Sequence, residues 1–253
     1  MTQTDQVGAL LRYWRESRRM SQLELSTQAD VSTRHLSFVE TGRSTPSRDM
    51  VLHLSETLDV PLRERNQLLL AAGYAPAFRE TPLDSPSLAS VFEAVRQMLA
   101  AHEPFPAAVL DTGWNLVEAN AGLELFTAGV SPALLEPPVN VLRVSLHPGG
   151  LAPRIANLAQ WRGHLLGRLR RQVAMTGQPR NLLAELAGYP GGEEVPPAVG
   201  IAVPLRMATM DGVELAFLST VTTFGTPLDV TVDELTIEAF LPADAQTAKV
   251  LRG

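Results

Sequence analysis

Apolar residues at Val7, Leu10, Leu11 and Trp14 follow the i, i+3, i+4, i+7 spacing of one helix face. This stripe is the first of five short helices predicted between Val7 and Tyr74. Ser21 and Glu24 form a capping box that opens the second. Ser32 is a suitable N-cap for the third, and Gly42 stands just past its end. "TPSRDMVLHLSETLDVP" opens the fourth on a Pro–Ser signal and ends before the fifth, "LRERNQLLLAAGY".

The pattern changes after Tyr74. Residues 76–87 hold three prolines and read as a linker. Beyond it, "LASVFEAVRQMLAAH" is helical, "AAVLDTGWNLVEAN" reads strand–turn–strand about Thr112–Gly113, and "AGLELF" is a short helix. "VNVLRVSLHP" fits helix or strand. A long helix is predicted from about Pro153 to Thr176. "VGIAVPLRMAT" and "GVELAFLSTVTTFG" alternate as strands joined by a hairpin turn. "LTIEAFLP" is a last strand and "ADAQTAKVLR" a terminal helix. The expected fold is therefore multi-domain. An all-α five-helix domain (1–75) and a linker (76–87) precede an α+β domain with an antiparallel sheet (88–253).

The second and third helices meet across a short turn, "ADVS". Leu25, Ala29, Val31, Leu36 and Val39 are spaced to face inward, and small Ala29 favours close approach. Thr33, Arg34, Ser37, Phe38 and Thr41 remain on the outer side. This is the requirement of a helix-turn-helix, whose second helix enters the major groove. Arg reaches two guanine acceptors and Phe a thymine methyl. Gln22 and Ser32, at helix starts, suit phosphate, and Arg43, Ser44 and Ser47 suit the adjoining backbone.

Charge permits this without demanding it. The net charge is −6, yet residues 1–48 hold seven Arg against five acids. All but one of the 21 basic residues are Arg, which binds phosphate and guanine at least as well as Lys. Cysteine is absent, excluding disulfides and thiolate chemistry. No run resembles a signal-peptide core or a membrane span, so a cytoplasmic protein with no membrane partner is expected.

Signals for catalysis are weak. "HPGG" at His147 lacks a G-x-S-x-G elbow, and "YPGGEE" lacks a P-loop lysine. No metal-ligand spacing or cofactor fingerprint is present. The expectation is a protein without enzymatic activity, cofactor or metal.

Ser21–Gln22, Leu25, Ala29, Val31–Ser32, Leu36, Val39–Glu40 and Gly42 together resemble the Xre/Cro class of helix-turn-helix regulators. That resemblance implies an ion pair between Arg15 in the first helix and Glu40. Further on, "NVLRVSLHPGGLAPRIANLAQWRGHLLGRLRRQ" and "STVTTFGTPLDVTVDELTIEAFLPADAQTAKVLR" resemble Xre regulators that carry an MmyB-like ligand-binding domain. The resemblance implies a PAS-like fold, an internal apolar cavity and a small, fatty-acid-like ligand. It also implies a DNA operator, and two-fold operators imply a homodimer.

Candidate ligand contacts are Trp114, Asn120, Phe126, Leu158, Trp161, Leu165, Phe217 and Phe224. Arg154 and Arg162 are candidates for an anionic head group, since Arg holds a carboxylate with two bonds. Core packing is the plainer reading of the apolar stripe, as an N-cap is of Asn120. The competing function is a regulator whose C-terminal domain serves protein interaction and dimerisation without a ligand.

Overall fold

The structure, a computed structural model, describes residues 3–194 and 202–253. The chain divides into two compact units. One runs to Ser85 and includes Gly225–Asp233; the other joins Pro86–Phe224 to Glu234–Gly253. The segment Gly225–Asp233 lies far from the first unit in sequence, and only the structure assigns it there.

The first unit contains α1 (Gln3–Ser17), α2 (Gln22–Gln28), α3 (Thr33–Glu40), α4 (Arg48–Thr57) and α5 (Leu62–Ala71). Ser21 caps α2 through a complete capping box with Glu24. Ser32 caps α3 by accepting from the His35 amide, and Ser47 caps α4 in the same way from Met50. Val7, Leu11, Trp14, Leu25, Ala29, Leu36, Val39, Val51 and Leu54 form a shared core. Gly8 permits the α1–α3 contact, because a Cβ there would stand 2.4 Å from the Val39 carbonyl oxygen.

Pro61 gives α5 no side-chain cap. The orphan Leu62 amide instead donates to Asp233 Oδ2 at 2.8 Å. A carboxylate at a helix N-terminus is stabilising. The cap thus comes from α11 (Val230–Glu234), a short helix that begins within Gly225–Asp233. Val230 N–H donates to the Arg79 carbonyl at 2.7 Å. Thr231 Oγ1 donates to the Thr81 carbonyl at 2.6 Å. Asp229 accepts from Thr231 N–H, whereas Asp233 serves α5.

The second unit is built on a five-stranded antiparallel sheet in the order β2–β1–β5–β4–β3. Its strands are β1 (Ala107–Leu110), β2 (Leu116–Ala119), β3 (Leu205–Ala208), β4 (Glu214–Thr223) and β5 (Thr236–Pro242). The helices of this unit are α6 (Ala89–Ala101), α7 (Glu124–Thr127), α8 (Val141–Leu146), α9 (Leu158–Thr176), α10 (Arg180–Ala187) and α12 (Ala245–Arg252). The ambiguous run "VNVLRVSLHP" contains helix α8, capped by Asn140 accepting from the Arg143 amide. The first residues of the run predicted before β3, 199–201, lie outside the described residues.

In register, Ala108 opposes Glu238, and Glu238 opposes Val221. Opposed residues share a face. One face of β5 therefore carries Glu238 and Phe240, and the other Ile237 and Ala239. Leu142, Leu146, Trp161, Leu165, Leu166, Leu169, Met207 and Phe217 belong to the core on the Glu238 face. No helix among the described residues is long and apolar enough to cross a membrane.

Candidate nucleic-acid interface and ligand cavity

α3 presents its polar residues outward as its caps and core contacts require. Arg34 is exposed and its guanidinium lies 5.3 Å from the Phe38 ring centre. Arg43 approaches the same ring at 6.0 Å. One aromatic ring thus holds two cations beside the outer face. Thr41 Oγ1 donates to the Ser37 carbonyl at 2.7 Å, and Thr33 and Ser26 hydroxyls lie 2.8 Å apart across the α2–α3 turn.

Behind this face lies a buried ion pair. Arg15 Nε donates to Glu40 Oε1 at 2.7 Å and Nη2 to Oε2 at 2.9 Å. Its remaining Nη1 donates to the Met20 carbonyl at 2.7 Å. The bond to Glu40 raises the Arg15 pKa and outweighs the lowering effect of burial. Gln22 Nε2 also donates to Glu40 Oε2, at 2.7 Å, which fixes the amide at the start of α2.

In the second unit a cavity of about 70 Å³ lies between α8, α9 and the sheet. Its wall includes Trp114, Leu116, Phe126, Val139, Val141, Leu142, Leu151, Trp161, Leu165, Leu205 and Phe240. Thr127, Ser145 and Glu238 supply its polar groups among the described residues. Trp114 sits at φ +64°, a left-handed backbone that bulky residues rarely adopt. Tertiary contacts hold it there: Trp114 Nε1 donates to Gln172 Oε1 at 2.7 Å, and the Arg168 guanidinium stands 4.7 Å from its ring centre. Arg168 Nη1 also donates to Glu238 Oε1 at 2.8 Å. Trp161 Nε1 donates to Ser145 Oγ at 3.0 Å.

A helix-turn-helix family profile matches residues 11–65, and the profile of the MmyB-like transcription regulator ligand binding domain matches residues 91–253. The chain belongs to the MmyB-like transcription regulators. It joins an Xre-type helix-turn-helix to a ligand-binding domain, and is a DNA-binding transcription regulator. Among solved structures, the clp gene regulator ClgR from Corynebacterium glutamicum is 25% identical, with 29% of this chain and 91% of that chain covered at a TM-score of 0.26. The restriction-modification controller protein C.AhdI from Aeromonas hydrophila is 27% identical, with 24% of this chain and 94% of that chain covered at a TM-score of 0.24. No curated protein matches.

The MmyB-like regulator gathers Trp114, Phe126, Trp161 and Leu165 on the cavity wall. The other expected ligand contacts stand elsewhere. Asn120 Oδ1 accepts from Ala107 N–H, and its Nδ2 donates to the Leu99 and Phe105 carbonyls, so it ties the ends of β1 and α6. It makes no side-chain cap to the following helical turn. Phe217 is fully buried in the core and meets Phe126 edge to face. Leu158 packs against the rim of that core and Phe224 follows β4, both off the wall.

Arg154 and Arg162 are off the wall too. Arg154 Nη2 donates weakly to the Leu125 carbonyl at 3.4 Å, and burial lowers its pKa. Arg162 Nη2 donates to the Ala187 carbonyl at 2.8 Å. Ser145 and Glu238 went unrecognised in the sequence. Ser145 lies in the ambiguous run, and Glu238 is the one charged residue of its strand, which is the one visible signal.

Proposed function

We propose that the outer face of α3 reads operator bases and that the cavity binds a small, largely apolar molecule whose presence alters DNA binding. Arg34, Ser37, Phe38 and Thr41 are the base-reading candidates. Thr33 is tied by its hydroxyl to Ser26 and sets the turn as well. Gln22, Ser32, Arg43 and Ser47 position the duplex backbone. A homodimer would present two such helices about 34 Å apart to a two-fold operator in the cytoplasm.

The observation that carries the sensing half is a cavity with an almost wholly apolar wall inside the family's ligand-binding domain. The connection between β4 and β5 supports a route for the response. Its residues 225–233 are grouped with the helix-turn-helix unit, so the two strands are covalently tied to that unit at both ends. A ligand that favours one arrangement of this connection shifts the population of DNA-competent molecules.

The test couples two measurements on the full chain. Native mass spectrometry of the purified protein should show a small-molecule adduct. Removing the adduct should change affinity for a duplex selected from a random library. A domain that is consistently empty, with unchanged DNA affinity, would favour a protein-docking role for the C-terminal domain.

A further inference from the structure

We infer that the cavity takes a neutral, largely apolar molecule bearing a hydroxyl group rather than a free carboxylate; this rests on reading the cavity as the ligand site. The hydrogen-bonding groups on the wall decide the head group. Both tryptophan N–H donors there are already used, by Gln172 and by Ser145. Thr127 Oγ1 donates to the Glu124 carbonyl. Glu238 is buried at 5% exposure on the central strand, and among the described residues only its Oε1 is bonded, to Arg168.

Arg168 is not itself on the wall. Its charge is engaged by Glu238 and by the face of Trp114. A carboxylate entering the cavity would therefore stand beside the Glu238 carboxylate of a pair that is already neutral and find no unengaged cation among the described wall residues. Burying a charge without a partner is strongly unfavourable. An ammonium would add a second cation beside an ion pair that is already neutral. A hydroxyl can donate to Glu238, and it can accept from Ser145, whose oxygen serves Trp161 while its own hydrogen has no partner among the described residues. The space suits a compact guest: about 70 Å³ holds roughly five water-sized spheres at ~10–15 Å³ each.

The test titrates full-length protein at pH 7 with 1-hexanol and with hexanoate, following tryptophan fluorescence, to which Trp114 and Trp161 contribute alongside Trp14. Hexanol should bind saturably and about ten-fold or more tightly than hexanoate. Leu165→Phe, which fills the cavity, should abolish the signal. Glu238→Gln should narrow or invert the preference by removing the anion. The wild-type comparison stands even if that variant folds poorly. Hexanoate binding as well as hexanol, with both blocked by Leu165→Phe, would overturn the head-group assignment alone. No saturable binding of either probe, or binding indifferent to Leu165→Phe, would overturn the cavity reading and this inference with it.

Discussion

Thr81 Oγ1 donates a 2.6 Å hydrogen bond to Asp229 Oδ2, joining residues 148 positions apart. Asp229 Oδ1 takes the amides of Thr231 at 2.9 Å and Thr81 at 3.4 Å. One carboxylate thereby fastens Gly225–Asp233 to the chain that follows α5. Burial alone would raise the Asp229 pKa, but the Thr81 hydroxyl and the backbone amides outweigh it and hold it below the usual carboxylate range.

Asp229→Ala should loosen this fastening locally. Losing a hydrogen-bonded charged group costs about 1–3 kcal/mol, so amide exchange at Thr81, Val230 and Thr231 should quicken about ten-fold or more. Unchanged exchange at these amides would contradict the assignment.

The same carboxylate sets a pH dependence. Its folded pKa is depressed, so its contribution is complete above the unfolded value of about 4 and is lost as pH falls through the lower folded value. Exchange protection at Thr81, corrected for intrinsic rates, should stay flat from neutral pH to about pH 5 and weaken only in stronger acid. Weakening between pH 8 and 6 would point to another group.

Arg15 and Glu40 form a buried pair, with side chains 9% and 1% exposed. Glu40→Ala leaves the buried Arg15 cation with only the longer 3.6 Å ionic contact to exposed Glu16 and should destabilise the helix-turn-helix unit by about 3–5 kcal/mol, lowering its thermal transition. Replacing both, by Arg15→Met with Glu40→Leu, should restore much of that stability, since apolar pairs of similar volume are often no worse. A double variant as unstable as Glu40→Ala would contradict this.

Gln22 is held by Glu40 with one of its two amide hydrogens, and the proposed phosphate contact would use the other. Gln22→Ala should weaken binding to selected and scrambled duplexes alike, because phosphates carry no sequence information. A loss confined to the selected duplex in band-shift titrations would make Gln22 a base reader instead.

The helix-turn-helix was legible because its signals are local. Ser21, Ser32 and Ser47 cap the helices that their sequence positions suggest, and the apolar spacing names the core. The Arg15–Glu40 pair needed the family resemblance. The second unit was legible as an antiparallel sheet with flanking helices but not in its interior. α8 spans six residues, too few to display a helical period. α9 begins at Leu158 rather than Pro153 because Ile155 bridges to Met207 and Ala156 N–H donates to Arg206, drawing that segment to the sheet. Phe217 points into the core, and Glu238 onto the cavity wall, through strand register. The placement of 225–233 depends on contacts about 150 residues distant. None of these can be read from neighbours in the chain.

The proposed reading face of α3 is tested most directly by Arg34→Ala, with anisotropy titrations on a library-selected duplex and on a scrambled duplex of equal length and salt. The guanidinium is exposed and steadied by Phe38, and the proposal has it meet base edges. Affinity for the selected duplex should fall by about 1–3 kcal/mol, with a much smaller loss on the scrambled one. Equal losses on both duplexes would contradict base reading by α3.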